Sequence, residues 1–217
     1  MNVLCAMPSY TKPEFDCYWQ AVRAMHFAKA QGLTTDNQVH NLRTADVALS
    51  RNILCQAMLD EGYSHIWFVD DDTSVPEDAL VKLLRLNAPI ATGITPTIRN
   101  NTIIANVVRI DGNDMEPWAP TDIFKCKSAG ASCLLIAREV IETIRENGEN
   151  GWFNWLYDWQ NIHKLKLNYV GEDTYFCTQA RRLGFDIVCD SSIQCGHTKT
   201  IDLLDVFKLA GNTYGKE

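Results

Sequence analysis

The stretch His65-Ile66-Trp67-Phe68-Val69-Asp70-Asp71-Asp72-Thr73 decides the fold of this chain. Its four consecutive apolar residues predict a short buried strand, and three carboxylates follow at the carboxyl end of that strand. Pro76 then suits the first turn of a helix, so the sequence predicts a strand, an acidic loop and a helix. Ligands of open α/β sheets bind outside the carboxyl ends of the strands, and we therefore expect the chemistry of this protein at the acidic loop.

The three adjacent carboxylates of this loop have two interpretations. They repel one another, and a bound divalent cation would relieve that repulsion. Clustered oxygen ligands suit Mg²⁺ or Mn²⁺ better than Zn²⁺. A solvated acidic turn before a helix explains the same residues without any ligand, so the run alone leaves both interpretations open.

The composition of the chain narrows the class of protein. Its 217 residues suffice for a sizeable core, and 46% apolar and 22% charged residues are ordinary for a folded protein. A net charge of −7 argues against non-specific coating of nucleic acid or anionic membrane. The eight cysteines include no Cys-x-x-Cys pair, which predicts free, buried thiols in a reducing compartment.

Targeting signals are not evident in the sequence. Residues 1–7 enter a strand-like pattern at once, without the basic start and apolar core of a signal peptide. No apolar run approaches the roughly 20 residues that a membrane-spanning helix needs. We therefore expect a cytoplasmic protein without a membrane span.

The first half of the chain alternates between the two hydrophobic periodicities. Strands are expected at 2–7, 38–42, 66–69 and 90–95, and helices at 15–31, 46–59 and 76–86. This β-α-β-α-β-α-β order predicts an α/β fold with a mostly parallel sheet, flanked by helices and joined by right-handed crossovers.

The second half changes character and predicts a smaller, mixed or antiparallel part. Strands are expected at 103–110, 123–127, 132–137 and 187–189, and helices at 139–145, 172–183 and 201–210. We find no repeat and no convincing linker, so residues 1–217 are predicted to form one domain. Its parts are a nucleotide-binding half at about 1–100, an acceptor and catalytic half at about 101–200, and a terminal helix and tail at 201–217.

An aromatic segment at 149–167 contains Trp152, Trp155 and Trp159 with little clear periodicity. A run so rich in aromatic residues between polar flanks is either a packed loop or a lid over a ligand. Both interpretations stay open at this point.

Three further positions carry side chains that suit chemistry, although each also has an ordinary explanation. Gly171-Glu172-Asp173 opens a helix, where carboxylates either cap the helix or take a proton from an attacking hydroxyl. His197 is a possible metal ligand or an ordinary polar residue, and a zinc site with its neighbour Cys195 is disfavoured without a cysteine pair. Ser50-Arg51-Asn52 places an arginine on a helix, facing either a phosphate or a surface carboxylate.

Taken together and in order, these motifs resemble the nucleotide-sugar-dependent glycosyltransferases of the GT-A fold, family-2-like. The resemblance runs from residue 3 to about 198 and rests on Pro8-Ser9-Tyr10, Arg51-Asn52, Val69-Asp70-Asp71-Asp72, Gly130-Ala131-Ser132, Gly171-Glu172-Asp173 and His197. It implies a GT-A-like, Rossmann-type sheet and transfer of a sugar from a nucleoside-diphosphate sugar, of UDP or GDP type, to an acceptor hydroxyl.

The resemblance also implies a role for each matching residue. Asp70, Asp72 and His197 would hold Mn²⁺ or Mg²⁺ against the donor diphosphate, and Asp173, with Glu172 as its neighbour and alternative, would be the base of an inverting reaction. The donor would be bound by Pro8, Ser9, Tyr10, Arg51, Asn52, Asp71, Gly130 and Ala131. Trp152 and Trp155 would close over the site or contact the acceptor.

The chain departs from the family pattern at one place that bears on the donor. The acidic residue that usually ends the second strand and reads the base has no clear counterpart in His40-Asn41-Leu42. The 217 residues are also short for the family, so we expect no separate acceptor-recruiting domain.

The acceptor is not specified by the sequence. Polysaccharide, glycolipid, protein and a hydroxylated nucleobase are all compatible. DNA with modified bases would need a local basic track, for which the candidates are Lys164, Lys166, Arg181, Arg182 and Lys199.

Three rival classes are compatible with parts of the sequence. Asp70-x-Asp72 after an apolar strand fits the nucleophile motif of a haloacid-dehalogenase-like phosphatase, with Asp70 as nucleophile, but that family places the motif on the first strand of its core. A catalytically inactive nucleotide- or sugar-binding module would not need all of the acidic residues and His197. A scaffold protein would use the aromatic segment and the 201–210 helix as contact surfaces, and a homo-oligomer is compatible with every class.

Overall fold

The computed structural model describes residues 1–10, 13–99, 102–111, 121–147, 151–157 and 169–199. Its helices are α1 Phe15–Ala30, α2 Val47–Asp60, α3 Ala79–Arg85, α4 Arg138–Glu146 and α5 Glu172–Arg182. Its strands are β1 Asn2–Ser9, β2 Asp36–Arg43, β3 His65–Val69, β4 Thr73–Ser74, β5 Ile90–Ile94, β6 Pro96–Arg99, β7 Thr102–Ala105, β8 Val107–Arg109, β9 Ile123–Ala129, β10 Cys133–Ala137, β11 Leu156–Tyr157, β12 Tyr169–Val170, β13 Ile187–Gln194 and β14 Gly196–His197.

An eight-stranded sheet, in the order β2-β1-β3-β10-β5-β13-β9-β8, forms the centre of the fold. The strands β1, β2, β3, β5, β8 and β13 run in one direction, whereas β9 and β10 run in the other. Strand β10, from the second half of the chain, lies between β3 and β5 of the first half. The predicted α/β class with a mostly parallel sheet is confirmed, and the mixed part is built into the same sheet.

Helices cover both faces of this sheet because its strands are apolar on both sides. In β3, Ile66 and Phe68 face a core shared with α2, α4 and α5. Trp67 and Val69 face a second core shared with α1 and α3. All four side chains are fully buried, as expected for a central strand between two helical layers. The acidic loop therefore begins at the edge of a rigid, buried element.

Most of the predicted elements are confirmed, and the differences have physical reasons. The strand expected at 103–110 is wrong as a single element, because Asn106 separates β7, which pairs with β6, from β8, which joins the large sheet. Helix α3 begins at Ala79 rather than near Pro76, whose carbonyl instead accepts a hydrogen bond from Ala79 N. The expected helix at 201–210, Trp159, Lys164 and Lys166 lie outside the described residues.

All eight cysteines are buried and unpaired, as predicted. Burial raises the pKa of Cys5 and Cys55, which keeps these thiols protonated at neutral pH. Within the described residues, no helix is long and apolar enough to cross a membrane.

Candidate active site

The candidate site lies at the carboxyl ends of β1 and β3, where the topology brings distant segments together. Ser9 ends β1, and the acidic loop follows β3. The two-residue strand β14 pairs with β4 in antiparallel fashion, which places His197 opposite Thr73. The backbone N–H of Thr198 also donates to the carbonyl of Asp72 at 2.9 Å. The C-terminal part of the described chain is thereby fixed against the acidic loop.

Asp72 and His197 form the polar centre of this arrangement. His197 Nε2 lies 3.3 Å from Asp72 Oδ2, and His197 Nδ1 donates to the carbonyl of Pro96 at 2.8 Å. Lys199 Nζ approaches the same Asp72 oxygen to 2.6 Å. Burial raises the pKa of Asp72, but the hydrogen bonds from His197 and Lys199 outweigh it and lower the pKa to about 2. The hydrogen bond to Asp72 raises the pKa of His197, against the opposing effect of burial.

Arg51 is the most buried cation of the site, with 3% of its surface exposed. Its Nη2 donates to Asp70 Oδ1 at 2.7 Å, and its Nη1 donates to Glu172 Oε1. Burial opposes the charge of the guanidinium, but the attraction of Asp70 and Glu172 prevails and raises the pKa of Arg51. In this structure Arg51 makes two carboxylate contacts within the protein, and its contact with the donor stays a prediction.

Two adjoining cavities of about 290 Å³ each open at this edge of the sheet. They share Val47, Asp70 and His197. The first, which we name the loop cavity, is lined by Pro8, Ser9, Tyr10, Thr44, Val47, Ser50, Asp70, Asp71, Asp72, His197 and Lys199. The second, which we name the helix cavity, is lined by Val47, Arg51, Asp70, Thr95, Pro96, Thr97, Asn106, Gly130, Ala131, Ser132, Trp155, Glu172, Asp173 and His197.

The side of the loop cavity formed by the end of β1 is polar, with one exposed aromatic ring. Tyr10 is 73% exposed. Ser9 accepts a hydrogen bond from Asn41 Nδ2, at the end of β2. Burial and the charges of Asp72 and Asp70 raise the pKa of Asp71, although hydrogen bonds from Ser9 and the Tyr10 backbone partly offset this effect. Asn41 thus lies near the carboxyl end of β2, where the family usually has an acidic residue that binds the base, and it carries an amide in place of a carboxylate.

Two carboxylates at the start of α5 reach the helix cavity in different states. Glu172 is 6% exposed and bound to Arg51, and its burial raises its pKa. Asp173 lines the cavity, and its Oδ1 accepts the backbone N–H of Thr174 at 2.6 Å. Of the two predicted bases, Glu172 is the one whose carboxylate binds an arginine, and Asp173 has no such ion pair among the described residues.

The floor of the helix cavity is a hydrogen-bonded network that the sequence did not predict. Asn106 Oδ1 accepts from Thr95 N at 2.8 Å, and its Nδ2 donates to Ser132 Oγ at 2.9 Å. Ser132 Oγ in turn donates to Thr95 Oγ1 at 2.9 Å. A Cβ added to Gly130 would lie 2.7 Å from Asn106 Nδ2. A glycine at this position therefore leaves the space that the Asn106 side chain occupies.

Two predicted site residues line neither cavity. Asn52 donates to the carbonyl of Phe153 at 2.8 Å and accepts from the backbone N–H groups of Trp152 and Phe153. Trp152 is 8% exposed, and its indole N–H donates to Ile141 O at 2.8 Å. In this structure both hold the aromatic segment against α2 and α4, so their positions do not support the expected donor or lid contacts. Trp155, in contrast, lines the helix cavity.

The residues expected to hold a divalent cation partly fit that role. No group of three or more His, Cys, Asp or Glu side chains converges on a single point within the part of the chain that the structure describes. The pair Asp72 and His197 does converge. Because His197 Nδ1 donates to a backbone carbonyl, Nε2 is oriented towards Asp72 as in histidines that bind metal. Lys199 binds the same carboxylate oxygen of Asp72, so this contact would have to weaken or break when a cation binds.

Comparison with known proteins identifies the fold. No family model and no curated protein sequence matches the chain. Its structure is similar to that of A197 from STIV, with a TM-score of 0.57, 17% identity, and coverage of 92% of this chain and 87% of that chain. It is also similar to GalNAc-T7 solved with UDP, GalNAc and Mn²⁺, with a TM-score of 0.56, 11% identity, and coverage of 93% of this chain but 44% of that chain.

These likenesses show a GT-A-like fold. At identities this low, the similarity shows a shared arrangement of helices and strands and does not show a shared activity. This chain spans less than half the length of the GalNAc-T7 chain.

Proposed function

We propose that the protein is a metal-dependent glycosyltransferase, family-2-like, that moves a sugar from a nucleoside-diphosphate sugar to an acceptor hydroxyl. The observation that carries this proposal is the apposition of Asp72 and His197 in the loop cavity, beside Ser9 and Tyr10. The helix cavity with Asp173 adjoins it and shares His197. The GT-A-like fold is compatible with the same function, and the similar structure of GalNAc-T7 was solved with UDP, GalNAc and Mn²⁺.

The loop cavity suits the nucleoside diphosphate. Tyr10 offers an exposed aromatic face to a base or ribose, and Pro8 and Ser9 line the same wall. Asp71 orients this wall through its hydrogen bonds from Ser9 and Tyr10. A donor of UDP or GDP type is proposed, with Asn41 at the place where a base is read.

Asp72 and His197 would hold the divalent cation, with Asp70 directly or through water. Mn²⁺ or Mg²⁺ bound there would neutralise negative charge on the departing nucleoside diphosphate. His197 is pre-oriented for this by its hydrogen bond to Pro96, which fixes the ring and its tautomer. Lys199 adds a further positive charge beside the diphosphate position.

The helix cavity suits the transferred sugar and the acceptor hydroxyl. Asp173 accepts the hydroxyl proton as the hydroxyl oxygen bonds to the anomeric carbon. The bond between that carbon and the diphosphate oxygen breaks at the same time, which releases the nucleoside diphosphate and inverts the anomeric centre. Gly130 and Ala131 present backbone rather than bulky side chains on one wall. Trp155 covers another wall and excludes water from a reactive donor. The acceptor is a polysaccharide, glycolipid, protein or hydroxylated nucleobase, and DNA with modified bases belongs to the set to be tested.

The experiment is thermal unfolding against UDP, GDP, ADP and CDP, each with Mn²⁺ or with chelator. A nucleotide present at a hundred times its dissociation constant stabilises the folded state by about 2.7 kcal/mol, which is readily measured. A shift that needs one nucleotide together with Mn²⁺ is expected. An equal shift with chelator would contradict the cation site, and no shift with any pair would contradict the donor site.

The phosphatase has less support. Asp70 Oδ1 is bound by Arg51, which leaves this carboxylate poorly suited to attack phosphorus. Hydrolysis of p-nitrophenyl phosphate by the wild-type protein, abolished by Asp70→Asn, would favour the phosphatase.

A further inference from the structure

Arg51 connects two parts of the site that come from distant elements. It lies on α2, whereas Asp70 follows β3 and Glu172 opens α5. One guanidinium nitrogen binds each carboxylate. Planar, forked arginine suits two partners in fixed directions, which a lysine ammonium cannot reproduce.

Arg51 lines the helix cavity, but its surroundings leave little of its side chain exposed there. The side chains of Arg51 and Glu172 are 4% and 8% exposed. The Cζ atom of Arg51 lies 6.0 Å from the ring centroid of Phe68 and 5.8 Å from that of Phe153. The Nε atom is buried and finds no hydrogen-bond partner among the described residues. The guanidinium is thus packed beside two rings, with both outer nitrogens engaged.

Through Phe153, the same pair of aromatic rings also contacts Phe176 of α5, which strengthens the link between α2 and α5. Phe153 stacks on Phe176 of α5, with ring centroids 4.7 Å apart and 10° between the planes. Phe68 meets Phe153 edge to face at 5.4 Å. Helix α5 is therefore held near its start by Arg51 and one turn later by Phe176.

We propose that Arg51 is a positioning residue that fixes Asp173 relative to the acidic loop, by binding Asp70 with one nitrogen and Glu172 with the other. Glu172 precedes Asp173 directly, so a shift of Glu172 moves the proposed base. Displacements of about 1 Å in a reacting group lower rates by about a hundredfold. The positioning of Asp173 as a base rests on the proposed function. The bridge between Asp70 and Glu172 does not, and it is tested separately.

The structural part is tested by chemical unfolding of Arg51→Met in three backgrounds: wild type, Asp70→Asn and Glu172→Gln. A bridging arginine predicts that Arg51→Met lowers the unfolding midpoint strongly in the wild type. In each of the other two backgrounds the loss falls to about half or less, because one of its two partners is already neutral. An undiminished loss in either background would overturn the bridge. This result does not depend on any activity.

The catalytic part is tested with Arg51→Lys, which keeps the charge. The probes are UDP and GDP with Mn²⁺ for binding, and UDP-glucose and GDP-mannose for release of the nucleotide to water. We expect nucleotide affinity and KM within about threefold of wild type, and kcat lower by about tenfold or more. An affinity loss of tenfold or more with unchanged kcat would overturn the proposal and make Arg51 a donor ligand.

The matched control is Arg138→Lys. Arg138 also uses several guanidinium nitrogens, with Glu142, Tyr63 O and Leu59 O as acceptors, but it lines neither cavity. The Arg138→Lys variant should have the same KM and kcat as the wild type. If the wild-type protein binds neither UDP nor GDP, the proposed function fails, while the unfolding series still decides whether Arg51 bridges the two carboxylates.

Discussion

His197 Nε2 lies 3.3 Å from Asp72 Oδ2, although one residue stands in β14 and the other in the loop after β3. The short pairing of β14 with β4 creates this apposition, and the Pro96 carbonyl orients the imidazole. A carboxylate oxygen and an imidazole nitrogen at this separation are placed to share one cation. The relationship thus links the topology of the fold to the proposed chemistry.

Lys199 competes with a cation for Asp72, and its removal should strengthen cation binding. The ammonium lies 2.6 Å from Asp72 Oδ2, so Lys199→Met frees that oxygen and removes a repelling charge. We expect Mn²⁺ alone to bind several-fold more tightly, as measured by titration calorimetry, with Lys125→Met as a control at a surface ion pair. Weaker Mn²⁺ binding would contradict the competition.

Asp173→Asn should separate donor binding from catalysis. The side chain lines the helix cavity and not the loop cavity, so nucleotide affinity is expected to stay near the wild-type value. Loss of a general base lowers turnover by about 10²–10⁴-fold. The comparison of nucleotide titration with nucleotide release from the donor checks both statements, and equal losses in both would refute the assignment of the base.

Gly130→Ala should damage the floor of the helix cavity through Asn106. The added methyl group would meet Asn106 Nδ2 at 2.7 Å, and overpacking of this kind costs about 1–3 kcal/mol of stability. In an Asn106→Ala background the clash is absent, so the same substitution should cost much less. Urea unfolding of the two single variants and the double variant measures this difference, and equal costs in both backgrounds would rule the clash out.

His65 should make stability depend on pH. Burial and the N-terminal ammonium lower its pKa in the folded state, and its Nδ1 lies 3.0 Å from Ser64 Oγ. Below about pH 6.5 the unfolded chain therefore binds a proton at His65 more readily than the folded chain does. The contribution of His65 to the free energy of unfolding is constant above this pH and falls as the pH drops below it. His65→Gln should flatten this part of the curve between about pH 7 and 5. An unchanged slope in the variant would exclude His65 as the cause.

The fold was largely predictable because its main elements carry strong local signals. Helices α1 and α2 have clear apolar stripes ending at glycines, and β3 is a continuous apolar run. The two-residue strands β4 and β14 carry no such signal. They exist because their backbones pair with each other, and the sequence did not predict them. Only the family resemblance linked His197 to the acidic loop.

The site was predictable in its residue types and less so in their contacts. Asp72, Asp173 and His197 lie at the two cavities, as their motifs suggested. Arg51 looks the same in sequence whether it binds a ligand or a buried carboxylate, because its second partner, Glu172, lies on a distant helix. In sequence, Lys199 is only a candidate for a basic track, because its contact with Asp72 depends on the same β14 pairing.

The most direct test of the central claim is titration calorimetry of the nucleotide selected by the unfolding panel, with Mn²⁺ and with chelator, into the wild-type protein and Asp72→Asn. We predict binding to the wild type that requires Mn²⁺, and affinity lower by tenfold or more in Asp72→Asn. Asp186→Asn, at a surface ion pair with Lys125, should bind as the wild type does. Equal affinity with chelator, or unchanged Mn²⁺-dependent binding in Asp72→Asn, would contradict a cation site at Asp72 and His197.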